Sequence, residues 1–466
     1  MKVAIAGSSG FVGRALGVLS KGQMELIGLS RRPGLPLEGY TEMRTCDLFS
    51  RGASLQSLEG IDMAVYLVHS MMPSARLTQA SFEDLDLLCA LNFAEACAKQ
   101  GVQKIVYLGG LLPESGSLST HLESRREVED ALKSTGVPVI ALRAGLVLGR
   151  EGSSFKIVRR LVERLPWMIC PSWTKTLTQP IDLRDVVDAI VISLENEKLP
   201  PGSYDLGVPK PISYLDLLKE TANQLNLRRT LWTVPVFSAR LSRRWVCVTT
   251  ETPFELVAPL IESLREPMLV NEESRFPLGR SPRTLDEALT ESCEGPMESK
   301  KARGTGTGKK KESLVRSVQR MTLPQGKSPQ WAAKEYLSWL PRSLRGLILV
   351  RNSKEGVAEF ILRPFGILLL VLQYSPAQST ANRALFRITG GLLARGDGDD
   401  RFEFRAGPMG RTLLTAIHDF SPRLQWWIYR QTQARFHLHV MKRFSNHLKF
   451  YSEKLEHEKP QLSLDP

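Results

Sequence analysis

A chain of 466 residues is too long for one ordinary core, so two domains are expected, and a composition 42% hydrophobic and 24% charged is that of a soluble globular protein. No basic region followed by an apolar signal stretch opens the chain, its most apolar run (residues 366–372) is too short to span a bilayer, and its six cysteines (Cys46, Cys89, Cys97, Cys170, Cys247 and Cys293) form no CxxC pair. Secretion, a membrane span, a disulfide framework and a zinc site are therefore not expected; a cytoplasmic location is.

The net charge of +13 is unevenly spread. Residues 1–292 hold 33 basic and 34 acidic side chains, residues 293–312 six and three, and residues 313–466 twenty-three and twelve. The positive excess lies in the last two segments. It points to an acidic small molecule or an anionic lipid surface as partner of the C-terminal portion, ahead of nucleic acid.

In chain order, MKVAIAGSSGFVGRA reads as a buried strand (Val3, Ala4, Ile5, Ala6), a tight turn and the start of a helix. Gly7, Gly10 and Gly13 stand at three-residue intervals. Gly7 permits the turn, Gly10 lets amides approach a pyrophosphate and Gly13 lets helix and strand pack closely, so the segment with Ser9, Phe11 and Val12 is a dinucleotide-binding candidate. A second strand (residues 24–30) ends at Ser30 and is followed by Arg31 and Arg32. Arginine at this position favours a 2′-phosphate, hence NADP(H) over NAD(H). A third strand ends near Thr45 and Cys46; Asp47 follows, placed to accept from an adenine amino group, with Leu48 beside it. A fourth strand (63–68) ends at Val68 and leads into His69, Ser70, Met71 and Met72, which would line the cofactor crevice. A helix over 86–100, with Leu87, Leu88, Leu91, Ala94 and Ala98 on one face, precedes a fifth strand over 105–110. The alternation is that of a doubly wound parallel sheet.

GSSGFVG (7–13), SRRP (30–33), YLVHSM (66–71), KIVYLGGL (104–111), LRAGLVLG (142–149) and QPIDLRDVVDAI (179–190) together resemble the atypical and extended short-chain dehydrogenase/reductases, including NmrA-like and epimerase-like members, over residues 1–292. The resemblance implies a nicotinamide cofactor across the strand ends, held by Gly7, Gly10, Gly13, Arg31 and Asp47. PGSYDLGV (201–208), with Ser213, Tyr214 and Leu217, looks like the return into the small substrate lobe. The chain departs from the family where members carry a serine after the fifth strand and a Tyr-x-x-x-Lys pair on the next helix. Gly109 and Gly110 occupy the serine region. His121 and Arg125 fall at the tyrosine and lysine positions, where the i,i+4 spacing puts both on one helix face. Arg125 would bind ribose hydroxyls and His121 would be the proton donor. The other reading is that the pair only shapes the cofactor pocket.

Residues 293–312, rich in Gly, Thr and Lys, read as a flexible basic linker. Beyond it, strands near 315–323, 356–362, 367–374, 383–394, 401–405 and 412–419, a helix over 330–340 and one long helix that begins after Pro422 and runs to about Glu456 indicate an antiparallel α+β domain at 313–466. The pattern resembles a helix-grip fold around an apolar cavity. GGLLAR, FEFR, AIHDFSPRLQWWIYRQTQA and HVMKRF resemble the uncharacterised second domain of two-domain bacterial proteins of this reductase class. Two apolar stripes mark the last helix: Leu424, Trp427, Ile428, Leu438 and Met441, and Trp426, Tyr429, Phe436, Val440 and Phe444. They would pack, hold an apolar ligand or face anionic lipid. His437, His439 and His447 form no metal site, and His418 with Asp419 would orient a turn. The reading is thus an NADP(H)-binding reductase-like protein acting on a carbonyl or conjugated double bond, with a non-catalytic NADPH sensor and a lipid-binding peripheral protein as alternatives.

Overall fold

The computed structural model describes the chain apart from residues 21, 23, 32–33, 35–36, 70–76, 114–117, 235–265, 296–314, 354, 397–399 and 458–466. It divides into two compact units, one of residues 1–71 and 89–301, the other of residues 72–88 and 302–466.

The first unit is built on β1 (Lys2–Ala6), α1 (Phe11–Leu19), β2 (Glu25–Ser30), β3 (Glu42–Thr45), α2 (Arg51–Ser57) and β4 (Met63–Tyr66). A short strand, β5 (Leu77–Gln79), is part of the second unit, and α3 (Phe82–Gln100), β6 (Lys104–Gly110), α4 (Thr120–Lys133) and β7 (Val139–Ala144) follow. Strands β8 (Val147–Leu148), β9 (Trp167–Pro171), β10 (Leu177–Thr178) and β11 (Ile181–Asp182), with α5 (Ser153–Arg164) and α6 (Leu183–Glu195), lead to β12 (Gly202–Leu206). The seven-stranded sheet has the order β12-β7-β6-β4-β1-β2-β3, parallel throughout. Its near-continuous apolar strands are buried on both faces, as a parallel sheet covered by helices requires. The strand order reverses between β1 and β4, the place where such sheets open a crevice.

PGSYDLGV is thus the edge strand β12 of the main sheet and not yet the lobe. The lobe begins at β13 (Ile212–Ser213) and α7 (Tyr214–Gln224), whose Tyr214 and Leu217 pack with Leu111, Phe155, Met268 and Leu289. It also holds β14 (Thr230–Val234), parallel to β9. Helix α3 starts four residues earlier than its sequence suggests, and Ala98 is exposed and not on the buried face.

Helix α4 is fixed to the sheet by a buried acid. Glu129, 3% exposed, accepts from Arg143 (3.0 and 2.9 Å), Lys133 (2.6 Å) and Ser203 (2.6 Å). Burial pushes its carboxyl up, but the Arg143 guanidinium, then Lys133 and Ser203, outweigh this and hold it below its usual value.

The second unit is an eight-stranded sheet of order β16-β17-β18-β19-β20-β21-β15-β5. Its strands are β15 (Val315–Thr322), β16 (Ile348–Asn352), β17 (Val357–Leu362), β18 (Ile367–Tyr374), β19 (Arg383–Gly390), β20 (Arg401–Ala406) and β21 (Thr412–Phe420). All neighbours are antiparallel except β15 and β5. Strand β16 carries no alternation and was not expected, and β19 ends at Gly390 and not at 394 because Gly391 turns back toward Leu369. The helix Pro329–Ser343 and the terminal helix pack on one face. Tyr336, Trp339, Phe402, Phe404 and Phe444, with ring centroids 4.9–6.5 Å apart, stand where the fold resemblance implied a ligand cavity. The opposite face carries buried charge. Arg383 donates to Glu403 (2.6 Å), whose other oxygen lies 2.8 Å from His418, and Asp419 pairs with Arg316 (3.0 Å). His418 therefore faces a buried carboxylate and the half-buried Asp419 completes an ion pair with Arg316, contacts beyond the orienting of a turn.

The last helix is two helices, Trp426–Gln431 and Gln433–His457, separated by Thr432 at φ −113° and ψ −82°. The break resets the helical phase, so neither expected stripe is one face. Tyr429, Val440, Met441 and Phe444 are buried, whereas Trp427, Phe436 and Leu438 are exposed. His437 is held down at about 4 by burial, and His447 lies 3.0 Å from Glu335. Among the described residues no group of side chains could hold a metal ion and no helix is long and apolar enough to cross a membrane. The five described cysteines are buried free thiols; Cys247 lies outside the described residues.

Glu129 yields a direct prediction. Its lowered pKa contributes stability that is complete above the ordinary carboxyl value of 4.5 and is lost as pH falls through the lower folded value. Glu129→Gln should lower unfolding stability by about 2 kcal/mol at neutral pH and flatten the acid limb, as read by urea titration between pH 7 and the acid range.

Candidate functional site

The glycine turn sits at the C-terminal end of β1, on the switch point. Gly7 has φ +94°, and a Cβ there would come within 3.1 Å of the Leu67 carbonyl at the end of β4. A Cβ on Gly13 would overlap the Gly7 carbonyl oxygen and stand 2.7 Å from the Ser8 Cα. The Gly10 amide is taken by the Gly7 carbonyl (2.9 Å), and the first intrahelical bond runs from Arg14 to Gly10 (3.0 Å). The amides of Phe11, Val12 and Gly13 are the first-turn donors that helix geometry leaves without an intrahelical acceptor, at the positive end of the α1 dipole. A cradle lined by backbone, in which a Cβ at position 13 would collide, fits a diphosphate. Ser9 serves this turn through its carbonyl, which accepts from Arg14 (2.6 Å), and the Phe11 ring packs 2.5 Å from where a Cβ on Gly149 would stand. Phe11 thus contributes its amide to the cradle and packs its half-buried ring beside Gly149 and Gly152.

At the end of β2, Ser30 is half-buried and Arg31 exposed. The chain after Arg31 is tied to α1 by Tyr40, whose hydroxyl donates to the Gly13 carbonyl (2.6 Å) while its ring occupies the space beside Gly17. Burial pushes the Tyr40 phenol up, so it stays the donor that this bond needs. Asp47, after β3, accepts from the Phe49 amide (3.2 Å). The buried Asn92 side chain on α3 donates to the carbonyls of Leu48 (3.0 Å) and Phe49 (3.1 Å) and holds this turn at the strand end. Tyr40 and Asn92 were missed from sequence because neither lies in a glycine or charge motif.

On the other side of the switch point, Val68 and His69 leave the end of β4 half-buried. Arg125 on α4 is 7% exposed and its Nη2 lies 2.7 Å from the His69 Nδ1. Guanidinium can only donate, so Nδ1 is the acceptor and a neutral His69 carries its proton on Nε2. His121, one turn before Arg125, brings its ring to 5.1 Å from the His69 ring. The Tyr107 hydroxyl donates to the Arg125 carbonyl (3.1 Å). A Cβ on Gly109 would stand 2.8 Å from the Tyr107 ring, so no side chain fits there, whereas one on Gly110 meets only ordinary contacts with Leu122 and Arg125. The structure therefore brings His69, His121 and Arg125 together, and it places Gly109 and Gly110 beside them without a hydroxyl. Arg32, Ser70, Met71 and Met72 lie outside the described residues, as does most of the expected linker.

Residues 3–116 match the NAD dependent epimerase/dehydratase family. The auxiliary protein GraX of Staphylococcus aureus is 33% identical over 111 residues, a stretch that is 23% of this chain and 36% of that protein, so the match spans about a third of the relative's length. Among solved structures, a nucleoside-diphosphate-sugar epimerase from Staphylococcus aureus matches with a TM-score of 0.50 and 14% identity over 62% of this chain and 100% of its own. The Citrobacter sp. triphenylmethane reductase complexed with NADP(H) matches with a TM-score of 0.50 and 16% identity over 63% of this chain and 100% of its own. At such identity the structures speak to the fold, which is the Rossmann type. Residues 3–116 thus resemble the NAD dependent epimerase/dehydratase family, and the sheet that carries them is of the Rossmann type.

Proposed function

We propose that the first unit binds NADP(H) and reduces a carbonyl or conjugated double bond of a small, apolar substrate. The observation that carries this reading is the convergence of the Gly7–Gly13 cradle with His69, His121 and Arg125 on the two sides of the switch point. A bound nicotinamide would supply the hydride. The amides of Phe11, Val12 and Gly13 would hold the diphosphate, Arg31 (with Arg32) would meet a 2′-phosphate, and Asp47 with Leu48 would border the adenine. Arg125, aimed by His69, would hold ribose hydroxyls. His121 would give a proton to the substrate oxygen or carbon. The family segment and the NADP(H)-bound reductase of the same fold support a nicotinamide cofactor.

A second reading is favoured by Gly109. The Tyr107 ring fills the place of a side chain there, so the hydroxyl that family members use for proton transfer has no counterpart at that position. A protein so built would bind NADPH and signal its presence without turnover.

Calorimetry should show NADPH binding about tenfold tighter than NADH, a preference that falls when Arg31 becomes alanine; equal affinities would remove the 2′-phosphate assignment. Gly13→Ala should abolish binding of both cofactors, since the added Cβ overlaps the turn, while the chain still unfolds cooperatively on heating. In NADPH oxidation assays against carbonyl and quinone panels, His121→Gln should lower kcat by about a hundredfold with cofactor affinity unchanged. Tight NADPH binding without oxidation of any panel member would leave the sensor reading standing.

A further inference from the structure

We infer that the turn between β17 and β18 in the second unit is a membrane-docking tip that inserts apolar side chains into an anionic lipid surface. Phe365, in this turn, is 74% exposed, and around it stand Leu347 (50%), Leu392 (47%), Leu349 (39%), Ile367 (38%) and Leu368 (37%). The sheet register gathers them at one end of the sheet. Leu349 pairs with Ile361, which pairs with Leu368; the Leu392 amide donates to the Leu368 carbonyl (2.9 Å) and the Arg363 amide to the Leu347 carbonyl (2.9 Å). Singly exposed apolar residues are ordinary on any surface, but six gathered at one end of a sheet mark an interaction site.

The charge around the patch selects the occupant. No acidic residue occurs between Glu335 and Glu355 or between Glu359 and Asp397, and Arg345, Arg363 and Arg395 are exposed beside or within the patch. A protein groove would have to match six aliphatic and aromatic side chains and also supply separate acidic partners. The headgroup and acyl layers of an anionic bilayer supply both along one axis, with arginines at the phosphates and the phenyl ring below them. The tip is a different element from the Trp- and Arg-rich terminal helices, for which lipid contact was one of the readings open from sequence.

Flotation of the full chain with vesicles of phosphatidylcholine alone, or mixed with phosphatidylglycerol, tests this. The wild-type chain should float with the mixed vesicles at low salt, fail to float with neutral ones, and be released by high salt. Arg363→Glu and Arg345→Glu should each lower partitioning about fivefold or more, and Phe365→Ser about tenfold, with circular dichroism and thermal midpoint unchanged. Trp427→Ser, removing an aromatic residue of comparable exposure on the terminal segment, should leave partitioning intact. Absence of wild-type flotation, or loss of flotation with Trp427→Ser and not with Phe365→Ser, overturns the assignment. So does self-association abolished by Phe365→Ser in a chain that does not bind vesicles, which would make the patch a contact between copies.

Discussion

The close approach of α1 to the turn after β1 is the constraint from which the first unit is built. Nothing larger than hydrogen fits at Gly13, because the Gly7 carbonyl and the Ser8 backbone already occupy the space. That contact turns the N-terminal end of α1 toward the switch point and leaves first-turn amides facing outward. Tyr40 then fastens the chain after β2 onto the Gly13 carbonyl, so the arginine-bearing strand end and the cradle share one anchor. A dipole and first-turn amides without intrahelical acceptors favour an anion whatever its identity.

The far side of the crevice depends on an ion pair instead of a close backbone contact. Glu129 is buried, and Arg143, Lys133 and Ser203 together offset its desolvation and hold α4 against β7 and β12. One turn earlier on the same helix, Arg125 reaches His69. The rigidity of the first interaction fixes the geometry of the second. Tyr107, filling the space above Gly109 and bonded to the Arg125 carbonyl, completes the arrangement and removes the usual hydroxyl from it. The same side chain therefore both anchors the α4 backbone at Arg125 and occupies the space beside Gly109.

The second unit separates its charges by face. Arg383 meets the buried Glu403 and Arg316 the half-buried Asp419 on one side of the sheet, while aromatic rings pack the other under two helices. Burial pushes the Glu403 carboxyl up, yet Arg383, His418 and Arg405 more than reverse this and hold it well below the carboxylate range. Glu403 and Asp419 are engaged in such pairs, and the β17–β18 turn itself, residues 363–366, carries an arginine and a phenylalanine and no acid.

Local regularities were legible in the sequence. The glycine spacing, the apolar parallel strands, the i,i+4 placement of His121 and Arg125, and most strands of the second unit follow from backbone sterics and side-chain period, which act over a few residues. Strand β16, the break at Thr432 and the identity of β12 as an edge strand were not legible, because each depends on what lies beside it and not on its own pattern. The sequence by itself determined a Rossmann-type unit with a glycine turn opening its first helix, followed by a basic antiparallel unit. Only the tertiary structure decided that His69 meets Arg125, that Asn92 and Tyr40 hold the strand ends, and that residues 77–79 pair with Val315–Ser317 of the second unit. These contacts join residues from 27 to more than 230 positions apart, and closing such distances is a property of the packed core that no local sequence period encodes.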